Sequence, residues 1–321
     1  MNDISGATCF VTGGAGFIGS YVAEQLIQQG ASKLFILDNF IRGSKENISS
    51  LRICPNVELI EGDVRKADLV DELMSLSDYC FHMAALRINA CAANPQEAFD
   101  VMVRSTFNVA ESARRHNTKK IVYSSSASVY GLAQHFPTHE TESPYDNQTL
   151  YGAAKLFGEQ LFRSYYFMFG LNYVALRYFN VYGPRMDTDG RYTEVMIKWL
   201  DCIRDQRAPL VFGDGGTTLD FVFVEDVARA NVAALVSDVT NEVFNVGCER
   251  ETSLRQLLTL LLQTNGSTLQ PEYRPENTVN PVSRRLADVS KARTMLGFEA
   301  SVSLEEGLKQ LSRWYFEKQK T

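Results

Sequence analysis

Residues 11–20 read VTGGAGFIGS. The stretch closes a short apolar run, ATCFVT at 7–12, and opens FIGSYVAEQLIQQG, where Phe17, Val22, Leu26 and Ile27 recur at helical spacing and Gly30 marks a stop. A glycine-rich turn between a strand and a helix is a phosphate cradle. Gly13 permits the tight turn, Gly16 lets backbone approach a pyrophosphate, and Gly19 lets the helix pack closely on the strand. The helix start offers free N–H groups and a positive dipole end to the anion. An acid, Asp38, ends the next strand, KLFILD at 33–38. Its carboxylate suits ribose hydroxyls and repels a 2′-phosphate, which favours NAD over NADP. Asp63 and Val64, closing a third strand, are candidates to bracket the adenine.

Outward from this loop the chain keeps alternating. Strands are expected at 56–63, 78–85, 120–126 and 173–183, and long helices at 95–116 and 149–170. Near-continuous apolar strands separated by helices imply right-handed βαβ crossovers and a parallel sheet covered on both faces. After Gly183 the loops lengthen. A helix is expected at 193–206, a strand at 210–212, and a strand-then-helix at 221–236 that returns to the sheet, followed by a strand at 241–247. Ser253 with Gln256, and Ser303 with Glu306, are capping-box patterns opening two late helices. The expected fold is α/β, a doubly wound parallel sheet (Rossmann) with a smaller, interrupted C-terminal substrate lobe. The division follows: 1–180 with returning segments about 217–247 for the dinucleotide, and 181–216 with 248–321 for the substrate. Ligands in such sheets sit beyond the carboxyl ends of the strands, where strand order reverses.

The 321 residues are 45% hydrophobic, enough for a sizeable core, and carry a formal net charge of −6. Scattered Lys and Arg in an acidic chain argue against nucleic acid or a membrane surface as partner. The six cysteines form no CxxC and no zinc-ligand spacing, so no metal is expected and a reducing compartment is. No apolar run approaches the ~18 residues of a membrane span, and no secretory leader pattern opens the chain. The expected location is cytoplasmic.

Residues 151–155 read YGAAK, and 123–131 read YSSSASVYG. Tyr151 and Lys155, four apart on a helix, share one face. A free phenol titrates near ~10, and an adjacent ammonium favours the phenolate. Tyr151 is then suited to accept a proton from a substrate hydroxyl, with a serine at the preceding strand end sharing the same oxygen. Spacing alone leaves Ser124, Ser125 and Ser126 open. The pairing gains its meaning from its place after the fifth strand of a dinucleotide-binding sheet.

Taken together, TGGAGFIG (12–19), LDNF (37–40), GDV (62–64), HMAA (82–85), YSSSASVYG, YGAAK, LRYFNVYGPR (176–185), FGDG (212–215), DFVFVEDVARA (220–230), FNVG (244–247) and LADVSKA (286–292) carry a resemblance that runs nearly end to end. The chain resembles the extended short-chain dehydrogenase/reductases, in particular the NAD-dependent nucleotide-sugar epimerases and dehydratases of the UDP-galactose 4-epimerase type. The resemblance implies Ser126 as the catalytic hydroxyl, Tyr151 as acid/base, and Lys155 as its tuner and ribose anchor. It implies an NAD site of Gly13, Gly16, Phe17, Ile18, Gly19, Asp38, Asn39, Asp63, Val64, Ala84, Ala85 and Arg87. It sets Asn180 at the substrate diphosphate and Phe212 at the nucleotide base. It also implies a homodimer through a four-helix bundle built from the helices at 95–116 and 149–170.

Among the reactions of such enzymes, a 4,6-dehydratase uses an Asp-Glu pair where this chain has Ala127 and Ser128, and neither can transfer that proton. A uronate decarboxylase usually carries Glu at the second position. A ketoreductase usually exchanges NADPH, against Asp38. The expected activity is therefore epimerisation at C4 of a nucleotide-diphosphate sugar, such as a UDP-hexose, UDP-uronate or UDP-N-acetyl sugar, through a transient 4-keto intermediate. The alternatives are a dehydratase or ketoreductase on such a sugar and, in another class, an NAD-sensing scaffold. Leu219 stands where many relatives have an arginine for the diphosphate, leaving Arg191, Arg284 or Arg285 to supply that charge. Arg285 borders the expected sugar pocket, where a cation pointing inward favours an acidic sugar or restricts size. Met102 replaces an asparagine near the active-site floor. His82 is expected as a satisfied core residue, and His116, His135 and His139 as surface.

Overall fold

The computed structural model describes residues 3–188, 194–275 and 282–319. The chain runs β1 (Thr8–Thr12), α1 (Phe17–Gln28), β2 (Lys33–Asp38), β3 (Val57–Glu61), α2 (Ala67–Ser75), β4 (Tyr79–His82), α3 (Ile88–Ala93), α4 (Pro95–Phe99) and α5 (Ser105–Arg115). It continues through β5 (Lys120–Ser126), α6 (Leu150–Phe169), β6 (Tyr173–Tyr178), β7 (Asn180–Tyr182), α7 (Val195–Arg204), β8 (Leu210–Phe212), β9 (Thr218–Phe223), α8 (Val224–Val236), β10 (Glu242–Val246), β11 (Glu251–Ser253), α9 (Leu254–Thr264), β12 (Glu272–Arg274), α10 (Ser290–Leu296) and α11 (Leu304–Lys318).

Seven strands form one sheet in the order β10-β6-β5-β4-β1-β2-β3, every pairing parallel. Order reverses between β1 and β4, which opens a crevice at their carboxyl ends. Pleating sends alternate side chains to opposite faces. Cys9 and Val11 pack with Val22, Leu26, Val227 and Leu235 of α1 and α8 on one face. Phe10 packs with Val70, Val109 and Phe162 of α2, α5 and α6 on the other. A third core joins α7, α9 and α11 around Trp199, Leu257, Leu308 and Tyr315. No described helix is long and apolar enough to cross a membrane.

Several expectations are corrected in detail. Strand 218–223 does not return to the large sheet: β9 pairs with β7 and β11 in a separate three-stranded sheet, while α8 covers α1 and β10 is the strand that returns. The helix expected at 95–116 contains a π-helical turn over Asp100–Arg104, which sinks Val101 and Met102 into the protein. The extended run 173–183 breaks at Phe179, because Asn180 leaves for the small sheet. Helices α2 and α3 were not foreseen. The Ser253 capping box forms in full; at Ser303 the side chain accepts from the Glu306 N–H.

Candidate active site

The glycine loop is built by exclusion. Gly13 has φ +68°, and a Cβ there would lie 2.8 Å from the Ala84 backbone. A Cβ on Gly19 would meet the Gly13 carbonyl oxygen at 2.2 Å. Only glycine passes either contact, so β1, α1 and the strand-four exit close together. Gly16 caps α1 without any side-chain acceptor, which leaves its first-turn N–H groups open to an anion. Asp38 is buried, and its carboxylate accepts from the N–H groups of Ala15 (3.0 Å) and Phe40 (2.9 Å). Burial pushes this carboxyl above its ordinary value while those bonds pull it back. Asp38 therefore braces the loop as well as bordering the crevice.

Gly13, Gly16, Phe17, Ile18, Gly19, Asp38, Asn39, Asp63, Val64, Ala84, Ala85, Arg87 and Tyr151 all border this one crevice. The Asn39 amide donates to Asp63 at 3.0 Å, and Arg65 grips the same carboxylate at 2.6 Å, holding it at about 2. Its charge is therefore already matched. Among the crevice residues not foreseen are Arg42, Arg185 and Asp187. Arg42 meets Asp187 at 2.7 Å, Arg87 meets Glu194 at 3.2 Å, and Arg185 meets Glu24 at 2.8 Å. Each pair joins residues far apart in sequence, beyond the reach of any local pattern. Open helix-start amides, a ribose-facing carboxylate and a glycine-lined floor fit a dinucleotide with two free ribose hydroxyls.

At the far end of the crevice, the three serines separate by what each touches. The Ser125 hydroxyl donates to Glu159, which also holds Arg177 through bonds of 2.9 and 2.7 Å in a buried pair. Ser124 borders the crevice beside the Tyr178 phenol, which donates to Asn231 at 2.9 Å. Ser126, the last residue of β5, accepts from the Ser128 N–H at 3.1 Å and lies beside the Tyr151 phenol, which it pulls down. Tyr151 sits in the first turn of α6, where the Thr149 side chain accepts the Gly152 N–H at 3.1 Å and fixes the helix start.

Lys155 lies one turn on, buried, its Nζ 5.9 Å from the Tyr151 ring centre and donating to the Ser124 carbonyl. The expectation that the ammonium lowers the phenol is corrected here. Burial pushes Tyr151 up, the Ser126 hydrogen bond pulling it back, with Cys91 raising it and Arg285 and Arg87 lowering it. Burial also pulls Lys155 down to about 7, against Cys91 and Glu159. Desolvation is the largest influence on both groups, raising the phenol and lowering the ammonium toward their neutral forms.

On the other lobe, the Asn180 amide donates to the Asp220 carbonyl at 3.2 Å, and Phe212 lies half exposed at the end of β8. Leu219 is packed into the third core rather than presented to the crevice. Arg191 lies outside the described residues. Arg284 is held by Glu251 at 2.7 Å and stacks on Phe136, so its charge is spent. Arg285 borders a small cavity with Ser128, Gln148 and Thr149. Its segment is fixed on both sides. The Arg285 N–H reaches the Thr218 carbonyl at 2.9 Å, and the Thr138 N–H reaches that of Leu286 at 2.7 Å. The buried Asp220 carboxylate gathers the N–H groups of Cys248 (2.7 Å), Glu249 (3.0 Å) and Ala287 (3.1 Å). His82 is buried between the Thr12 and Thr106 hydroxyls at 2.9 and 3.0 Å, and burial lowers it to about 3, as a satisfied core residue requires.

The NAD-dependent epimerase/dehydratase family profile matches residues 9–247. A putative UDP-glucose 4-epimerase of Methanocaldococcus jannaschii is 36% identical over 95% of this chain and 97% of its own. A UDP-N-acetyl-α-D-glucosaminuronate decarboxylase of Bacillus cytotoxicus is 32% identical over 96% and 98%. Among solved structures, the UDP-glucose 4-epimerase of Thermotoga maritima with UDP-glucose aligns at TM-score 0.90 and 34% identity, covering 98% of this chain and 100% of that one.

Proposed function

The chain belongs to the NAD-dependent epimerase/dehydratase family, and from that premise we propose that it is a C4 epimerase of a nucleotide-diphosphate sugar, most simply a UDP-sugar, working through a transient 4-keto sugar. The observation that carries this reading is the Tyr151 phenol bordering the dinucleotide crevice with Ser126 beside it, followed in sequence by Ala127 and Ser128. Those two side chains supply no second acid or base, so the site can oxidise and restore an alcohol but cannot expel water.

NAD, when bound, supplies the acceptor and later the donor of hydride at C4. Gly13, Gly16, Phe17, Ile18 and Gly19 would hold its pyrophosphate, Asp38 and Asn39 its adenosine ribose, and Asp63 and Val64 its adenine. Ala84, Ala85, Arg87 and Lys155 would line its nicotinamide half. With its phenol ionised, as the positive nicotinamide of oxidised NAD would favour, Tyr151 would take the proton from O4 as the C4–H bond breaks, Ser126 donating a hydrogen bond to the same oxygen. Tyr151 then returns that proton once the opposite face of the ketone is presented. Lys155, near its own titration point, keeps the phenol's proton movable. Asn180 would hold the diphosphate and Phe212 the base. On this reading 1–180 with 217–247 serves the cofactor, and 181–216 with 248–321 serves the nucleotide sugar.

The exposed apolar stripes, Phe99 and Phe107 on α4 and α5 with Leu150 and Phe157 on α6, support a homodimer through a four-helix bundle; a monomer mass in sedimentation equilibrium would remove it. Six free cysteines support a cytoplasmic location; oxidised cysteines in protein taken directly from its cells would count against it.

The reaction is tested by incubating the holoprotein with UDP-sugars and following both the C4 epimer and absorbance in the NADH band. Epimer formation with only transient reduction is expected. Stoichiometric cofactor consumption makes the protein a reductase, and loss of water makes it a dehydratase. No change with any sugar leaves a cofactor-sensing scaffold.

A further inference from the structure

The arginines around the cleft are of two kinds. Arg42, Arg87, Arg185 and Arg284 each meet a carboxylate within 3.2 Å. Arg285 does not. Among the described residues its guanidinium makes no ion pair and no hydrogen bond, and only its backbone N–H is engaged. The side chain is half-buried, and desolvation lowers it to about 10 against the raising field of Tyr151. A guanidinium drawn out of water without an acceptor is costly, and an anion arriving beside it removes the cost.

Where that anion sits follows from what surrounds the side chain. Arg285 shares its cavity with Ser128, Asp146, Gln148 and Thr149, at the start of the helix that carries Tyr151, and its field reaches the phenol; the Asp146 carboxylate accepts from the Gln134 amide at 3.3 Å instead of from the guanidinium. This is the end where O4 exchanges its proton. The diphosphate and base are assigned to Asn180 and Phe212 on the other lobe. The cation is also rigidly presented, since Thr218, Thr138 and Asp220 fix the backbone on either side of it.

We infer that Arg285 binds a carboxylate carried on a ring carbon flanking C4, so that the preferred substrate is an acidic nucleotide sugar. The carboxylate could belong to C5, as in a uronate, or to an ether on C3, as in a muramate; the chemistry read by the guanidinium fork is the same. The inference rests on the epimerase reading proposed above.

The test is a ratio of kcat/KM values for C4 epimerisation by the holoenzyme. UDP-glucuronate is compared with UDP-glucose, and UDP-N-acetylmuramate with UDP-N-acetylglucosamine. The unmodified enzyme is expected to favour the acidic member of one pair by about 10-fold or more, and that pair identifies the carbon. R285Q is expected to lower the ratio by about 30- to 100-fold, and R285K by less, since it keeps the charge and loses the fork. A ratio cancels any loss common to both sugars, including a shift of Tyr151 or partial unfolding. Equal ratios in the unmodified enzyme and R285Q overturn the inference, as does an unmodified enzyme that favours the neutral sugars in both pairs. An equal fall with both sugars, together with weakened binding of UDP alone, assigns Arg285 to the diphosphate and also overturns it. Turnover of UDP-glucose without any acidic preference sinks this inference and spares the epimerase reading. No turnover of any sugar sinks both.

Discussion

The cofactor wall and the sugar end of the cleft settle their charges differently. Along the cofactor wall Arg42, Arg87 and Arg185 are each matched by an acid from a distant segment, and Asp63 is matched by Arg65. The wall is electrostatically closed before any ligand arrives, and what remains for the dinucleotide is backbone: open amides at the start of α1 and glycines that let them be approached. At the sugar end the opposite holds. Tyr151 and Lys155 are both displaced by burial toward their neutral forms, and among the described residues Arg285 meets no acid. A wall of matched charges suits a group that is held through many turnovers. An end with charge left unmatched suits a group that must arrive, change and leave, because the ligand itself completes the match.

Three substitutions would break or sharpen this contrast. The largest effect is expected for Tyr151→Phe. Epimer formation should fall by about 1,000-fold, with NAD content of the purified protein unchanged. Loss of both together would mean that the phenol belongs to the cofactor wall. Asp38→Ala comes next: NAD affinity by calorimetry should weaken by about 10- to 100-fold, and NADP affinity by less. Equal losses would mean that bracing Ala15 and Phe40 is the residue's whole contribution. The smallest effect belongs to Asp187→Asn. Freeing Arg42 leaves an unmatched cation beside the anionic dinucleotide and should slow NAD release by about 2- to 5-fold, and increasingly less at high salt. An unchanged release rate would make the wall's pairing irrelevant to retention.

What the sequence made legible follows from how local each feature is. The parallel sheet, the glycine turn and the Tyr151–Lys155 face depend on spacing within a few residues, and these are the parts read directly. The choice of Ser126 over Ser124 and Ser125 depends on partners contributed by β6 and α6, which no spacing displays. The sheet to which 218–223 belongs was misread because a six-residue apolar strand has the same pattern in either sheet. Arg42 and Asp187 were missed because the pair spans most of the cofactor domain. Whether Arg285 points inward could be posed from sequence only as a condition; what the structure adds is a backbone fixed on either side of it by hydrogen bonds with Thr138 and Thr218.

The Asp220 carboxylate has a consequence for how such a protein diversifies. It ties down the chain at Cys248 and Glu249 and again at Ala287, so everything between leaves from and returns to one moored point. Strands β11 and β12 and helix α9 lie inside that closed excursion. Insertions, deletions or exchange confined to 251–274 would remodel that excursion while residue 285, next to the mooring at Ala287, keeps its register. The arrangement makes 251–274 an interchangeable cartridge, a stretch that can be swapped between relatives without moving the moored residues on either side.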